Sequence, residues 1–166
     1  MVRIMGIDPG VAVTGYGVVE EQGDRWRRVV SGCIRTGSRE RSPERLAQIY
    51  RHLEDLINSY RPQAFSVERL FFCKNTRSAL QVGEARGVVI LVAALNKLEL
   101  FEYTPLQIKK AVSSFGRAGK GQVQNMVRLL LQLKNVTLVD DEADALAAAL
   151  CHLQHRKWQL ATGSRV

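Results

Sequence analysis

The chain has 166 residues, 46% of them hydrophobic, and a formal net charge of +8. That length suits one domain able to bury about 70% of its unfolded surface, and that apolar content excludes long disorder. No apolar run reaches the ~18 residues a membrane span needs, and the amino end has no signal-peptide pattern. The excess of Lys and Arg favours polyanionic partners. Three widely spaced cysteines, Cys33, Cys73 and Cys151, fit neither a disulfide framework nor a zinc site and read as reduced thiols of a cytoplasmic protein.

The first strand is expected at residues 2–8, ending in Ile7-Asp8-Pro9-Gly10. Pro cannot donate to a sheet ladder, so the strand stops and leaves Asp8 at its carboxyl end. Residues 13–20 read as a second strand, interrupted by Gly15 and Gly17, and 25–36 as a third. The short connections between them predict an antiparallel meander. Ser42-Pro43-Glu44 opens a helix, with Ser42 as hydroxyl cap, and apolar residues recur at helical period to Tyr60. Arg61-Pro62 ends it.

Ala64 to Glu68 is a short strand that again ends on a carboxylate. Following a crossover helix, it should lie parallel to the first, so that Asp8 and Glu68 leave the sheet at one end. Ligands of open α/β sheets bind at that end. The alternative for Glu68 is a surface ion pair with Arg69 or Arg3. Phe71 and Phe72 are adjacent, so one of them is available to stack on bases or to pack as a loop.

A long helix is expected from about residue 75 to 97, with Gly83 and Gly87 on one face. Each interior glycine costs about 1 kcal/mol, which points to close approach of a second backbone, either the sheet or another subunit. A fifth strand follows at 99–103, and a short helix through Val112. Lys109, Lys110, Arg117 and Lys120 in and around a glycine-rich segment can line a groove for a nucleic-acid backbone or form a solvated face. Residues 122–133 form an amphipathic helix. Asp140-Asp141-Glu142-Ala143-Asp144 opens an alanine-rich helix running to about His155, whose small residues allow it to lie close to a sheet. Asp141 and Asp144, three apart, project from one face of it. One domain is expected over 1–158, with a disordered tail at 159–166.

Four acids from distant parts of a basic chain would repel one another unless hard cations neutralised them. Oxygen-only ligands suit Mg²⁺ or Mn²⁺, and two such ions ~3.5–4 Å apart are the usual device for phosphodiester hydrolysis.

The order of strand-Asp, meander, helix, strand-Glu and Asp-x-x-Asp helix resembles the ribonuclease H-like fold: an α/β protein with a five-stranded mixed sheet, three strands antiparallel and two parallel, and helices on both faces. Gly6-Ile7-Asp8-Pro9-Gly10, Val67-Glu68 with Phe71, Lys74-Asn75, Gly83-x-Ala85-Arg86-Gly87, Lys109, Ala118-x-Lys120-x-Gln122-Val123 and Asp141-x-x-Asp144-Ala145-Leu146-Ala147 resemble the RuvC family of Holliday junction resolvases. The resemblance implies a homodimeric endonuclease that resolves four-way DNA junctions by symmetric nicking, leaving 5′-phosphate and 3′-hydroxyl ends, in recombination and repair. It implies Asp8, Glu68, Asp141 and Asp144 as catalytic ligands of two Mg²⁺ ions per subunit, with Mn²⁺ as a substitute. Phe71, Lys74, Lys109, Lys110, Arg117 and Lys120 would contact DNA, and the helix of Gly83 and Gly87 would form the dimer interface. A branch-migration helicase complex of the RuvA and RuvB type would be the partner, and a short T-containing context the preferred cleavage site. Asp140 and Glu142 crowd Asp141 as rival ligands, whereas His152 reads as structural. Two other readings are an actin-like phosphate- or ATP-binding domain, whose chains are about twice as long, and a catalytically inactive nucleic-acid-binding module.

Overall fold

A computed structural model describes residues 1–69, 76–113 and 119–163, and their side chains except at 76–78 and 120. Five strands and five helices are assigned among the described residues. The strands are β1 (Val2–Asp8), β2 (Val13–Gln22), β3 (Arg25–Arg35), β4 (Ala64–Glu68) and β5 (Glu99–Tyr103). The helices are α1 (Ser42–Tyr60), α2 (Thr76–Leu95), α3 (Pro105–Ser113), α4 (Lys120–Leu130) and α5 (Asp140–Thr162). Sheet order is β3-β2-β1-β4-β5. β1, β2 and β3 pair antiparallel, and β4 and β5 add parallel to β1. This is the mixed sheet that the sequence predicts.

Period-2 alternation divides the core in two. Ile4 of β1 faces one cluster, with Val19, Ala64 and the inner sides of α3, α4 and α5. Met5 and Ile7 face the other, with Phe65, Val67 and the inner sides of α1 and α2. Both faces of the central strand are therefore covered, as a parallel pair requires.

Several boundaries differ from the sequence reading. β2 reaches Gln22, and the hairpin closes through Gly23 and Asp24 alone. Gly23 takes φ +59°, a conformation a two-residue hairpin asks of its first turn residue. Ser42 is not the cap of α1. The cap is Arg41, whose backbone N–H donates to Glu44 Oε2 at 3.1 Å, while the Ser42 hydroxyl reaches across to Glu84 at 3.0 Å. Arg61 turns left-handed at φ 49° and stops α1 just before Pro62. α4 begins at Lys120, earlier than expected. α5 runs past Trp158 to Thr162, where Gly163 at φ +67° ends it.

Candidate active site

Three elements meet at the carboxyl edge of the sheet, and their register decides which side chains share a face. Asp8 pairs directly with Gly15 across the β1–β2 ladder, so both point to the same side. That side carries α5. A Cβ built on Gly15 would lie 1.9 Å from the backbone oxygen of Asp141 and 3.1 Å from the Asp141 Cβ. A Cβ on Gly6, two residues before Asp8 on the same face, would lie 1.8 Å from the Ala145 oxygen. Gly17 is covered by Leu146 in the same way. Gly6, Gly15 and Gly17 thus form a trough, and the alanine-rich helix lies in it.

β4 continues the same face. Its register runs Ile4↔Ala64 to Ile7↔Val67, which sets Glu68 beside Asp8 at about 4.8 Å strand spacing. The buried Ser66 hydroxyl donates to the Ala148 carbonyl at 2.6 Å, so Ser66 faces α5. Glu68, two residues on, lies on that face too. Asp8, Glu68 and the first turn of α5 therefore occupy one edge and one side of the sheet. Asp144 is three residues along α5 from Asp141 and projects from the same side.

Glu68 is exposed, and Asp8, Asp141 and Asp144 are half-buried. Carboxylates so placed reach water and suit a hard, partly hydrated cation in donor chemistry. Among the described residues, however, no three His, Cys, Asp or Glu side chains are gathered tightly enough to hold a metal ion. Like charges repel, and Asp8, Glu68, Asp140 and Asp144 each already have an interaction.

Neighbouring groups fix this edge. Arg86 of α2 bridges Glu102 of β5 and donates to the Glu68 carbonyl at 3.1 Å. Arg69 donates its N–H to the Tyr103 carbonyl at 2.7 Å and lies 3.7 Å from Glu102. Arg3 pairs with Glu20 at 2.7 Å. Arg3 and Arg69, the partners the sequence offered for Glu68, thus each have another acid within reach. Cys33 pairs with Gly15 across β2–β3 and shares its face. Burial, and then the Asp141 carboxylate, push the Cys33 thiol up from its ordinary range.

The rival ligands separate clearly. Asp140 is exposed and its Oδ1 accepts from Gln124 Nε2 at 2.6 Å. Glu142 turns to β3, where its Oε1 accepts the Ser31 hydroxyl at 2.6 Å. His152 is buried, shares a 2.8 Å hydrogen bond with the Tyr103 hydroxyl, and stacks on Phe101 with ring centroids 4.1 Å apart. Burial first, then Arg156 and His155, lower its pKa to about 4, so it is a neutral core residue at pH 7.

Of the expected DNA contacts, Lys109 is half-buried and Lys110 exposed on α3, which starts where β5 ends at the same edge. Lys120 opens α4. Phe71, Lys74 and Arg117 lie outside the described residues. Gly83 and Gly87 are exposed on α2, and among the described residues no atom lies within 4 Å of a Cβ built on either. The sheet is therefore not what these glycines approach. The trough residues Gly6, Gly15, Gly17 and Ser66 were not singled out from sequence as site-forming. Their signal was present as small residues at i, i+2 spacing opposite an Ala-rich helix.

Residues 4–152 match the model of the family described as crossover junction endodeoxyribonuclease RuvC. Among curated relatives, the crossover junction endodeoxyribonuclease RuvC of Pelotomaculum thermopropionicum is 55% identical over 94% of this chain and 95% of its own length. That of Alkaliphilus metalliredigens is 47% identical over the same shares. Among solved structures, T. thermophilus RuvC in complex with Holliday junction substrate superposes with TM-score 0.90 at 33% identity, covering 95% of this chain and 96% of that one. The yeast mitochondrial Holliday junction resolvase Ydc2 shares the fold at TM-score 0.73 and 15% identity, over 97% of this chain and 81% of its own. On the family match, the identities and the shared fold together, this chain belongs to the RuvC family of crossover junction endodeoxyribonucleases.

Proposed function

We propose that this protein resolves four-way DNA junctions by divalent-metal phosphodiester hydrolysis at the carboxyl edge of its sheet. The observation that carries this is the common face of Asp8, Glu68 and the Asp141 turn. Asp8, Glu68, Asp141 and Asp144 would hold two Mg²⁺ ions, or Mn²⁺ in their place. When bound, such ions supply an activated water and neutralise charge on the departing 3′ oxygen. The chain's own part is to fix the carboxylates on one rigid edge and to bring the phosphodiester there. Asp8 and Glu68 are strand-borne and so vary little in position, while α5 sets Asp141 and Asp144 by its seat in the glycine trough. Lys109, Lys110 and Lys120, with Arg117, would neutralise backbone phosphates, and Phe71 and Lys74 would contact bases and backbone near the crossover.

The outer face of α2 supports a homodimer. Leu80, Leu91 and Leu95 are 68%, 52% and 60% exposed, in line with the open Gly83 and Gly87. An apolar stripe of that kind on a soluble chain marks a contact surface, and the glycines permit two backbones to come close. No helix among the described residues is long and apolar enough to cross a membrane. A cytoplasmic protein working with a RuvA- and RuvB-type branch-migration complex completes the proposal.

The test is a nicking assay on a synthetic four-way junction and a linear duplex of the same sequence, with and without Mg²⁺. Paired nicks in the junction alone, and only with metal, are expected. Equal cutting of both substrates, or cutting in chelator, would contradict the proposal.

A further inference from the structure

Glu142 lies between two residues assigned to the metal site yet turns away from it. Its Oε1 accepts the Ser31 hydroxyl of β3 at 2.6 Å and sits 3.9 Å from Arg28 Nη1. Its Oε2 accepts the Val139 backbone N–H at 3.4 Å, at the cap of α5. Arg28 Nη1 in turn donates to the Ser31 hydroxyl oxygen at 3.4 Å. The carboxylate is half-buried, and Ser31, its partner on the edge strand of the sheet, lies 111 residues away.

This strap acts at the first turn of α5. The first turn of a helix lacks intrahelical acceptors for its N–H groups and frays first. Here that turn carries Asp140, Asp141 and Glu142 in succession. The rest of α5 is fastened otherwise. Its alanines lie in the glycine trough, and its far end pairs Arg156 with Glu21 at 2.8 Å and Lys157 with Asp24 at 2.7 Å. The β2–β3 hairpin therefore grips α5 at both ends, and at the head the Glu142 strap adds to the seat that Gly15 gives the Asp141 backbone.

We infer that Glu142, held by Ser31 and Arg28, is a positioning residue that locks the first turn of α5 and so keeps the Asp141 and Asp144 backbone at the edge where the metal ions would bind. The inference rests on the proposed metal site. It also gives the third acid of the cluster a task other than ligation. Groups that hold a metal ligand in place commonly contribute 10- to 100-fold to metal affinity.

The test is calorimetric titration of the DNA-free protein with Mn²⁺, alongside Mg²⁺ dependence of junction nicking. Glu142→Ala and Ser31→Ala should each weaken Mn²⁺ binding by about 10-fold, and the double variant should be no weaker than either alone. Nicking at saturating Mg²⁺ should remain within a few-fold of wild type, because the ligands are intact. Glu142→Gln keeps one oxygen acceptor, enough for the Ser31 hydroxyl but not also for the Val139 N–H, and should recover part of the affinity. Lys157→Ala, at the far end of the same helix, should leave Mn²⁺ affinity unchanged. Unaltered Mn²⁺ affinity in Glu142→Ala and Ser31→Ala overturns the inference, as does an equal loss in Lys157→Ala. Abolished nicking in Glu142→Ala at saturating metal would make Glu142 a ligand instead. Asp141→Asn separates the two levels: if it binds Mn²⁺ and nicks like wild type, the metal site itself is misassigned.

Discussion

The two ends of β1 treat negative charge in opposite ways. At its amino end Glu20 is 1% exposed and lies between two arginines. Arg3 faces it directly across β1–β2 and pairs at 2.7 Å, and Arg27 faces it across β2–β3 at 3.2 Å. Gln22 adds a third hydrogen bond at 2.7 Å. These donors hold the Glu20 carboxyl down at about 2. At the carboxyl end, by contrast, Asp8, Glu68, Asp141 and Asp144 share one edge. An acid with basic cross-strand neighbours serves the fold, whereas acids collected on one face weaken it and need a functional reason. The contrast teaches where to look for chemistry in a chain whose net charge is +8.

Substitutions at the trough should give the largest losses. Gly6→Ala would place a methyl 1.8 Å from the Ala145 backbone oxygen, which no side-chain rotation relieves. It should cost about 3 kcal/mol or more in chemical denaturation, since α5 must lift off the sheet. At the amino end, Glu20→Ala leaves Arg3 and Arg27 without their shared carboxylate. Both arginines are partly exposed, so the cost should be about 2 kcal/mol rather than the full penalty of a buried ion. A smaller loss than Asp144→Asn would reverse the contrast.

The pH dependence sharpens the same comparison. Glu20 has a depressed folded pKa, so its contribution is complete above the ordinary carboxylate range and is lost as pH falls from about 4.5 toward 2. His152 is also depressed, to about 4, but as a base it acts at higher pH. Between pH 6.5 and 4 the unfolded chain takes up a proton that the folded chain refuses, so stability falls across that window. His152→Gln should flatten the slope of unfolding free energy between pH 6.5 and 4.5, and Glu20→Gln should flatten it only below 4.5. The smallest effect belongs to Asp144→Asn in metal-free buffer. Relief of repulsion should leave stability unchanged or raised by less than about 1 kcal/mol, whereas a loss of several kcal/mol would make Asp144 a structural cap.

The ends of β1 and α1 were legible because Pro9-Gly10 and Arg61-Pro62 punctuate the chain, and because apolar periods switch cleanly from two to 3.6. The parallel placement of Glu68 beside Asp8 followed from a single crossover helix. Other features depended on packing that no local pattern encodes. Gly15 and Gly17 read as interruptions of a strand, but they are the floor on which Asp141 and Leu146 rest. Ser42 had the right chemistry for a cap, yet the helix begins one residue earlier and Ser42 serves Glu84. Glu142 could not be told from a ligand by spacing, since its direction is decided by Ser31 on a strand 111 residues away. Gly83 and Gly87 signalled close approach without naming the partner, and among the described residues no atom lies within 4 Å of a Cβ built on either.

The most direct measurement compares Asp8→Asn and Asp141→Asn with the unaltered protein on a synthetic four-way junction in Mg²⁺, reading nicking and junction affinity together. Both variants should lose nicking by about 10³-fold or more, several kcal/mol of barrier, while binding the junction with near-normal affinity. Near-normal nicking by both would contradict the assignment of the carboxyl edge as the place where the strand is cut.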